Sequence, residues 1–374
     1  MLLSLIATPI ITRVVDPLEY GQLSIFTMYA DIAVMVLCLG LDQAMVRDFY
    51  KHDNDEYRQT LLWKCVLLPV VLTVVIGIVV VATSALGLIH FEFNTLIMGL
   101  LCLYVLLMLI QRFSVLLVRL RYQSKLFSII SITQKAAYLV CALVLVFLIK
   151  DHYLVLLVIS LVIAISSALV LGICAQKKIW RLDRRDAYDN EVSFGNLFTY
   201  GWPFIISLGI TQLFNAADKI ALDHFTDYHE VGVYASALNM VAIFGIVQST
   251  FNNLWAPMAV EHYENDPEDR SFYKTGNAYI TIVMFAMGIC LILGKDIFAL
   301  LLGSKYREAA YILPFLIFHP IMYTISETTV SGIVFMKKSK MQVVIGAISC
   351  AVNMTGNAIL VPMIGGKGAA ISTG

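Results

Sequence analysis

Long apolar stretches separated by short polar connections run through the whole chain. Windows of roughly 20 apolar residues, the length of a helix that crosses a bilayer, mark spans at 1–13, 23–46, 61–84, 95–118, 127–149, 153–175, 199–222, 231–256, 277–302, 309–335 and 341–362. A twelfth span begins at Gly366. The pattern predicts an all-α integral membrane protein with about 12 spans.

The composition agrees with this pattern. Of the 374 residues, 59% are hydrophobic and 14% are charged, and the mean hydropathy of +0.81 is far above that of a soluble domain. The seven cysteines lie in or beside apolar spans without CxxC spacing, so we expect neither a disulfide framework nor a metal site. Phosphate-binding glycine loops and the HExxH and GxSxG motifs are absent. We therefore expect no enzymatic activity.

Basic residues are concentrated in every other connection. The five connections rich in basic residues hold, in turn, Arg47, Lys51 and Arg58; Arg119, Arg121 and Lys125; Lys177, Lys178, Arg181, Arg184 and Arg185; Arg270 and Lys274; and Lys337, Lys338 and Lys340. The alternate connections hold Arg13, Lys150, Lys305, Arg307 and Lys367. By the positive-inside rule, the rich set faces the cytoplasm. Its longest member, 177–196, is predicted to be a cytoplasmic linker between an N-terminal lobe, 1–176, and a C-terminal lobe, 197–374.

Two segments of the chain recur at nearly one offset. DPLEYGQL, from Asp16, matches DYHEVGVY, from Asp227, about 211 residues later, and RYQSKLFSII matches KKSKMQVVIG at about 215. Both copies enter a span from the same predicted side, so we expect parallel repeats of six spans about an axis along the membrane normal. The repeat places the start of the first span before Met1 and the end of the twelfth beyond Gly374. We therefore expect a fragment truncated at both ends.

The predicted seventh span ends in an unusually polar stretch. Gln212, Asn215, Asp218 and Lys219 are three or four residues apart or adjacent, so they share roughly one face of a helix. A charged residue at the centre of a span costs about 2.5 to 3.5 kcal/mol on insertion scales. We therefore expect this face to contact protein or a wet cavity, which makes it a candidate site.

The segments TRVVDPLEYGQLSIF and NAADKIALDHFTDYHEVGVYASAL, with six plus six spans and a basic central loop, resemble the polysaccharide transporter (Wzx, or O-antigen flippase) branch of the multidrug/oligosaccharidyl-lipid/polysaccharide (MOP) flippase superfamily. The resemblance implies a MATE-like fold with two six-helix lobes. It implies that the protein moves an undecaprenyl-pyrophosphate-linked oligosaccharide across the bacterial inner membrane by alternating access, for O-antigen, lipopolysaccharide, capsule or exopolysaccharide synthesis.

The same resemblance implies the partners. These are the lipid-linked oligosaccharide, the bilayer, and a polysaccharide polymerase with its chain-length regulator, and no nucleic acid is involved. No cofactor is implied beyond a coupling H⁺ or Na⁺.

A flippase of this kind needs cations in its cavity, because a bare phosphate anion in hydrocarbon is prohibitively costly. The cations inside or at the edge of spans are Lys64, Arg112, Arg119, Lys135 and Lys219. We select Arg112, Lys135 and Lys219 as substrate-cavity candidates, together with Asp218, Asn215 and Gln212. The alternative interpretation is that such residues snorkel to the interface or form structural ion pairs.

Carboxylates within spans are candidates for ion coupling. Glu327 lies in the tenth span, which Pro314 and Pro320 should kink. Asp31 and Asp42 are about three turns apart in the second span and would share one face of a continuous helix. Asn353 and Asn357, four residues apart, either line the same cavity or join helices by hydrogen bonds.

Three alternatives to this function remain at the level of sequence. A drug or cation antiporter of the same superfamily should have a cavity dominated by carboxylates and aromatic residues. A lipid II flippase would more often carry two further spans. A membrane polysaccharide polymerase, an enzyme of another class, should have a long charged loop on the outer side, and the outer connections predicted here are short.

Overall fold

The computed structural model describes residues 2–88, 92–149, 151–181, 188, 191–266, 268–336 and 338–374. The helices in these ranges are α1 Leu2–Thr12, α2 Pro17–Leu37, α3 Leu41–Asp48, α4 Asp55–Ala85, α5 Thr95–Leu120, α6 Ser124–Leu148, α7 Tyr153–Ala175, α8 Phe194–Phe225, α9 Tyr228–Val241, α10 Ile243–Asn265, α11 Ser271–Leu293, α12 Lys295–Leu301, α13 Ala309–Leu316, α14 Phe318–Phe335, α15 Ser339–Ile364 and α16 Gly366–Thr373, with a 3-10 turn at Ser304–Tyr306. Lys150, Arg184, Arg185 and Lys337 of the predicted connections lie outside the described residues.

The long helices are membrane spans by length and composition. In the described part of the chain, nine helical segments are long and apolar enough to cross a bilayer, and the pair α9 and α10, bent by 42°, makes a tenth. The predicted first and twelfth spans correspond to α1 and α16, which have 11 and 8 residues. The protein is therefore an all-α, multi-pass membrane protein, as the sequence predicts.

The chain forms two compact units. Unit 1 contains residues 1–25 and 213–374, and unit 2 contains residues 26–212. The chain passes from one unit to the other within α2 and again within α8. The predicted lobes, 1–176 and 197–374, stay a prediction, because compactness does not show how the two halves are related by the repeat.

The two pairs of recurring segments coincide with helix starts. Helix α2 begins at Pro17 and α9 at Tyr228, and α6 begins at Ser124 and α15 at Ser339. The local sequence explains the starts of α2 and α9. Proline suits the first helical position because it has no N–H to satisfy there. Asp227 caps α9 by accepting the Glu230 N–H at 2.9 Å.

The predicted second span, 23–46, is not one helix. Helix α2 ends at Leu37 and α3 begins at Leu41, because Leu39 and Gly40 have left-handed backbones with φ of 53° and 67°. A Cβ on Gly40 would lie 2.1 Å from the Gly201 carbonyl oxygen of α8, so the chain turns where two backbones touch. The expectation that Asp31 and Asp42 share one helical face is therefore wrong.

The tenth span changes from one helix to the next at the predicted kink. Helix α13 ends at Leu316 and α14 begins at Phe318, between Pro314 and Pro320. Each proline removes a backbone donor and crowds the preceding turn. The two helices still form one membrane span, Ala309–Ile333, and the Ile317 and Ile321 N–H groups donate to the Leu313 and Ile317 carbonyl oxygens across the junction.

The predicted linker, 177–196, is part of unit 2 and packs into its core where it is described. Ile179 is fully buried in the core that contains Leu61 and Phe113, and the Trp180 ring meets the Trp63 ring edge-on at 5.9 Å. Lys64 donates to the Val192 carbonyl oxygen at 2.6 Å. The ammonium of Lys64 therefore fixes the segment that leads into α8. This contact agrees with a structural role for Lys64.

Candidate functional site

Asp218 of α8 is the centre of a buried polar cluster in unit 1. Its side chain accepts four hydrogen bonds, which come from three other helices. Asn353 and Asn357 of α15 donate to Oδ1 at 3.2 and 2.8 Å. Thr373 of α16 donates to Oδ2 at 2.5 Å, and the Tyr234 hydroxyl of α9 also donates to Oδ2. The carboxylate is therefore fixed by side chains that lie far apart in the sequence.

The cluster contains a second layer of polar contacts. Asn353 Nδ2 also lies 2.9 Å from Thr373 Oγ1, and Asn357 Nδ2 lies 3.3 Å from Asn353 Oδ1. Asn357 Oδ1 is buried and accepts no hydrogen bond from the described residues. Buried polar atoms nearly always have a partner. The cluster therefore has more oxygen acceptors than the surrounding protein satisfies.

The four groups that donate hydrogen bonds to Asp218 are uncharged. The residue is 7% exposed, and the His319 ring lies close enough to interact electrostatically with it. A buried carboxylate at membrane depth is costly unless its charge is compensated. Carboxylate, amide and hydroxyl oxygens are ligands that hard cations prefer. The arrangement therefore suits a small monovalent cation or a proton.

The cluster does not have the ligands of a zinc or other transition-metal site. No group of three or more His, Cys, Asp or Glu side chains that could hold a metal ion occurs in the part of the chain that the structure describes. Asp218 is the one carboxylate among the five side chains of the cluster. The chemistry of the site is therefore that of neutral hydroxyl and amide groups around a single negative charge.

The polar face predicted on α8 is divided by the structure. Asp218 is buried, Gln212 and Lys219 are partly buried, and Asn215 is exposed. Asp218 alone of these four belongs to the described cluster. The two asparagines of α15 join it by hydrogen bonds between helices, which is one of the two roles that the sequence left open for them.

Sequence reasoning missed Tyr234 and Thr373. Tyr234 lies inside the repeated segment DYHEVGVY, which gave a signal for structure but none for a bond to Asp218. Thr373 lies next to the last residue of the chain and has no distinguishing pattern. Both reach Asp218 through tertiary packing, which local sequence does not encode.

Arg112 and Asp42, predicted for different roles, form one ion pair in unit 2. Arg112 Nη2 and Nε lie 2.6 and 3.0 Å from Asp42 Oδ2, and Gln43 donates its backbone N–H to Oδ1 at 2.9 Å. The Asp42 side chain is 5% exposed, whereas that of Arg112 is 39% exposed. Part of the guanidinium therefore remains accessible while its charge is held in place by Asp42.

Lys135 lies near the middle of α6, close in sequence to a polar contact between two helices. Gln111 of α5 donates to Gln134 of α6 at 2.8 Å. Lys135 is partly buried and makes no hydrogen bond or ion pair with the described residues. An unpaired ammonium at such a depth is expensive. Arg112 and Lys135 are thus two of the cationic groups within the spans of unit 2.

The remaining predicted carboxylates lie apart from these clusters. Glu327 of α14 is partly buried and bonds to Tyr323. Asp31 is exposed on α2. His319, also on α14, has its ring 5.6 Å from that of Phe214. Neither Glu327 nor Asp31 is among the hydrogen-bond partners found for Asp218 in the described residues.

Comparison with known sequences gives a family and one relative. The family described as "Polysaccharide biosynthesis protein" has a sequence model that matches residues 1–261. The uncharacterized membrane protein MJ1068 of Methanocaldococcus jannaschii is 22% identical over 397 aligned residues, which cover 98% of this chain and 78% of that protein.

Comparison with solved structures gives the fold. The lipid II flippase MurJ in an inward closed conformation is similar with a TM-score of 0.75 and 13% identity, over 100% of this chain and 82% of that one. An inward-facing multidrug resistance MATE family transporter of the MOP superfamily gives 0.70 and 12%, over 99% and 90%. The Vibrio cholerae MATE transporter VcmN in the bent form gives 0.55 and 15%, over 100% and 89%. The chain therefore has the fold that MurJ and the MATE transporters share.

Proposed function

Since the chain belongs to the polysaccharide biosynthesis protein family, we propose that it is a flippase that carries a lipid-linked oligosaccharide across a membrane. The cargo is an oligosaccharide on a polyprenyl pyrophosphate, and translocation is driven by an ion gradient. The proposal joins the family match to the fold shared with MurJ and MATE transporters and to the charges inside the spans.

The observation that carries the proposal is the buried Asp218 cluster. A protein with a merely structural role in the membrane gains little from a buried carboxylate with uncharged partners, because the group lowers stability. Transporters place such groups near the middle of the bilayer to bind coupling ions, often beside interrupted helices. The Asp218 cluster includes α16, which begins directly after Gly365, a residue with a left-handed backbone.

Sodium fits the cluster better than a proton does. The two oxygens of Asp218 already accept four hydrogen bonds, so protonation would remove an acceptor that four donors use. A cation instead takes several oxygens at once, and a rotated Asn357 amide would supply the one that lacks a partner. We therefore propose Na⁺ as the coupling ion.

Arg112 and Lys135 support an anionic cargo. The exposed part of the Arg112 guanidinium offers donors in the geometry that a phosphate oxygen pair accepts, and Lys135 adds a second positive charge. These cations favour a pyrophosphate cargo over a cationic drug, which a cavity of carboxylates would bind better. A lipid II flippase, the function in the name of MurJ, has the same phosphate chemistry and is the second candidate.

The test is translocation by the purified protein in proteoliposomes. A polyprenyl-pyrophosphate oligosaccharide is supplied in the inner leaflet, and its appearance outside is measured with an added glycosidase. Parallel vesicles contain lipid II or a cationic dye. The proposal predicts sugar exposure well above that of protein-free vesicles. Dye transport without sugar exposure would establish an antiporter instead, and preference for lipid II would establish the second candidate.

We also propose the cytoplasmic membrane as the location, with the connection 177–196 on the cytoplasmic side. The distribution of Lys and Arg supports this orientation. Thiol labelling of cysteines introduced at Lys177 and Lys305, with a reagent that does not cross membranes, should give opposite results in intact cells. Labelling of both from outside would contradict the orientation.

A further inference from the structure

A groove of about 470 Å³ lies between α4 and α5 of unit 2. We refer to it as the α4–α5 groove. The helices approach each other at Gly77, whose Cβ position is 3.3 Å from Cys102 Cβ. Beside this contact, Ala82 and Ala85 also line the groove. Their small side chains leave the space between the two helices open.

The lining of the α4–α5 groove is apolar. Among the described residues that form it, none is charged. The Thr73 hydroxyl donates to the Pro69 carbonyl oxygen of its own helix at 2.7 Å, and Cys102 Sγ lies 3.9 Å from the Gly77 carbonyl oxygen. An apolar cavity stays dry because water finds no partners in it. The groove therefore suits a hydrocarbon chain.

The groove is continuous with the lipid-facing surface of the two spans. Both α4 and α5 are long and apolar enough to cross a bilayer. Val74, Ile78 and Leu103 line the groove and are 40%, 64% and 42% exposed. Apolar side chains exposed on a membrane span face acyl chains. A chain from the surrounding lipid can therefore enter the groove from the side, and its volume is in the range of about 300 to 1,000 Å³ of ligand sites.

One end of the groove lies beside an acidic connection. Ala85, the last residue of α4, lines the groove, and Ser84 Oγ lies 3.1 Å from Thr95 Oγ1 at the start of α5. The connection 86–94 contains Glu92 and no Lys or Arg. Glu92 is exposed and precedes Thr95 by three residues. A lipid head group at this end therefore meets a negative charge, on the side of the membrane proposed to face away from the cytoplasm.

We propose that the α4–α5 groove binds one acyl chain of a phospholipid with an amine-bearing, zwitterionic head group, and that the amine pairs with Glu92. An ammonium group forms charge-assisted hydrogen bonds with a carboxylate, and the phosphate of such a lipid is balanced by its own amine. An anionic phospholipid or a polyprenyl pyrophosphate would bring only negative charge to Glu92, and like charges repel. This lipid site is independent of the cargo that the protein carries.

Photolabelling in vesicles locates the bound chain directly. The full chain is reconstituted in phosphatidylglycerol vesicles that contain a trace of phosphatidylethanolamine with a diazirine in one acyl chain. Parallel vesicles contain phosphatidylglycerol or polyprenyl phosphate with the same diazirine. Mass spectrometry then compares labelling of Val81 and Leu106 in the groove with labelling of Ile132 and Val140, which are exposed on α6 and report contact with bulk lipid.

The phosphatidylethanolamine probe should label the groove more strongly than α6. Its ratio of groove to α6 labelling should exceed that of the phosphatidylglycerol probe at least about threefold, within the range for one exposed ion pair. Equal labelling of the groove and α6 by the phosphatidylethanolamine probe, or equal ratios for the two phospholipids, would overturn the proposal. Stronger groove labelling by polyprenyl phosphate would assign the groove to the cargo chain instead.

Two substitutions test the chain and the head group separately. Ala82→Leu should lower groove labelling to the level of α6, because the larger side chain occupies the groove. The matched control is Ala175→Leu, at an exposed position of α7 in the same unit, and it should label as the wild type does. Unchanged groove labelling in Ala82→Leu would show that the chain binds elsewhere.

Glu92→Gln should remove the preference for phosphatidylethanolamine over phosphatidylglycerol. Asp151→Asn is its control, because the Asp151 side chain is 78% exposed and lies in a different connection of unit 2. A preference that survives in Glu92→Gln, or that is lost equally in Asp151→Asn, would contradict the pairing of the amine with Glu92. Since no oligosaccharide is present, these results stand even if the protein does not translocate sugar.

Discussion

At the scale of single residues, the charge on Asp218 determines what the buried cluster can bind. Asp218→Asn keeps the shape of the side chain and removes its negative charge. We expect sodium chloride, compared with potassium chloride, to raise the melting temperature of the wild type. A ligand at 100 times its dissociation constant stabilises the folded state by about 2.7 kcal/mol.

The melting temperature of Asp218→Asn should not respond to sodium. Asp53→Asn is the control, because Asp53 is 95% exposed and pairs with Arg58 at the surface, and it should respond as the wild type does. A sodium response that survives in Asp218→Asn would place the ion elsewhere.

Variants of the Asp42 and Arg112 pair can distinguish a structural role of Arg112 from a role in transport. Arg112→Gln leaves the buried Asp42 charge without its partner, which should cost about 3 kcal/mol, the low end for breaking a buried pair, because Arg112 is partly exposed. The double variant Asp42→Asn with Arg112→Gln should regain most of that stability. Sugar translocation should remain low in it, since the phosphate has lost its cation.

Unfolding in detergent and the proteoliposome assay measure these two effects separately. Recovery of translocation together with stability in the double variant would assign Arg112 a structural role only. Loss of stability in the double variant equal to that of Arg112→Gln would show that the charge of Asp42 is not the cause.

Asp48, at the end of α3 beyond the predicted span, predicts a pH dependence. Burial acts to raise the pKa of Asp48, but hydrogen bonds from Arg47 and Lys51 outweigh it and lower the pKa below its usual value. A lowered folded-state pKa contributes stability above the unfolded pKa of about 3.9, and this stability is lost as the pH falls through the folded value. Asp48→Asn should therefore melt at a lower temperature than the wild type at pH about 7.

The gap between the two melting curves should close as the pH falls below about 4, where the wild-type carboxylate gains its proton. Melting temperatures measured from neutral to acid pH test this. A gap that stays constant across the range would show that the charge of Asp48 does not stabilise the fold.

At the residue scale, the energetic cost of placing a charge in an apolar span was the signal in the sequence. A charged group inside an apolar span is conspicuous, so Asp218, Arg112 and Lys135 could be selected from the sequence alone. Their partners could not, since the bond from Tyr234 and the pairing of Arg112 with Asp42 depend on helices far apart in the chain.

At the scale of helices, the length of the apolar stretches was enough to locate the spans. Contacts between distant helices also determine where a span is interrupted. Pro314 and Pro320 signalled the break before α14 because proline acts locally. The break between α2 and α3 lies in the apolar run LCLGLD, which hides it. Its cause is the approach of Gly40 to Gly201 on a distant helix, so pattern alone gave a continuous span.

This close approach predicts the effect of substituting Gly201. A Cβ there would lie 2.7 Å from the Gly40 carbonyl oxygen, so Gly201→Ala should destabilise unit 2 by about 1 to 3 kcal/mol, the usual cost of overpacking. On the same helix, the Cβ position of Gly209 is 3.4 Å from the flexible end of Met35. Gly209→Ala should be neutral or stabilising by up to about 1 kcal/mol.

Detergent unfolding of the two variants checks the contrast. Equal stability of Gly201→Ala and the wild type would mean that α8 can move away from Gly40 at no cost. The break in the second span would then need another explanation.

At the scale of the whole molecule, the fold class followed from hydrophobic length and from the repeat. The helix starts at Pro17 and Tyr228, and at Ser124 and Ser339, occur at the offsets of the two pairs of recurring segments. The sequence could not determine that residues 1–25 pack with 213–374. That packing depends on tertiary contacts such as the close approach of Gly21 to the Tyr228 carbonyl oxygen. The identity of the cargo also cannot be determined from one segment of the chain. It depends on how the charged groups of both units are used in the transport cycle.

The most direct measurement of the central claim is sugar translocation in proteoliposomes with and without a sodium gradient, for the wild type and Asp218→Asn. The account predicts that an imposed gradient accelerates translocation by the wild type at least about tenfold, equivalent to about 1.4 kcal/mol, and leaves Asp218→Asn at the gradient-free rate. Translocation by the wild type at one rate in both conditions, or equal acceleration in Asp218→Asn, would contradict it.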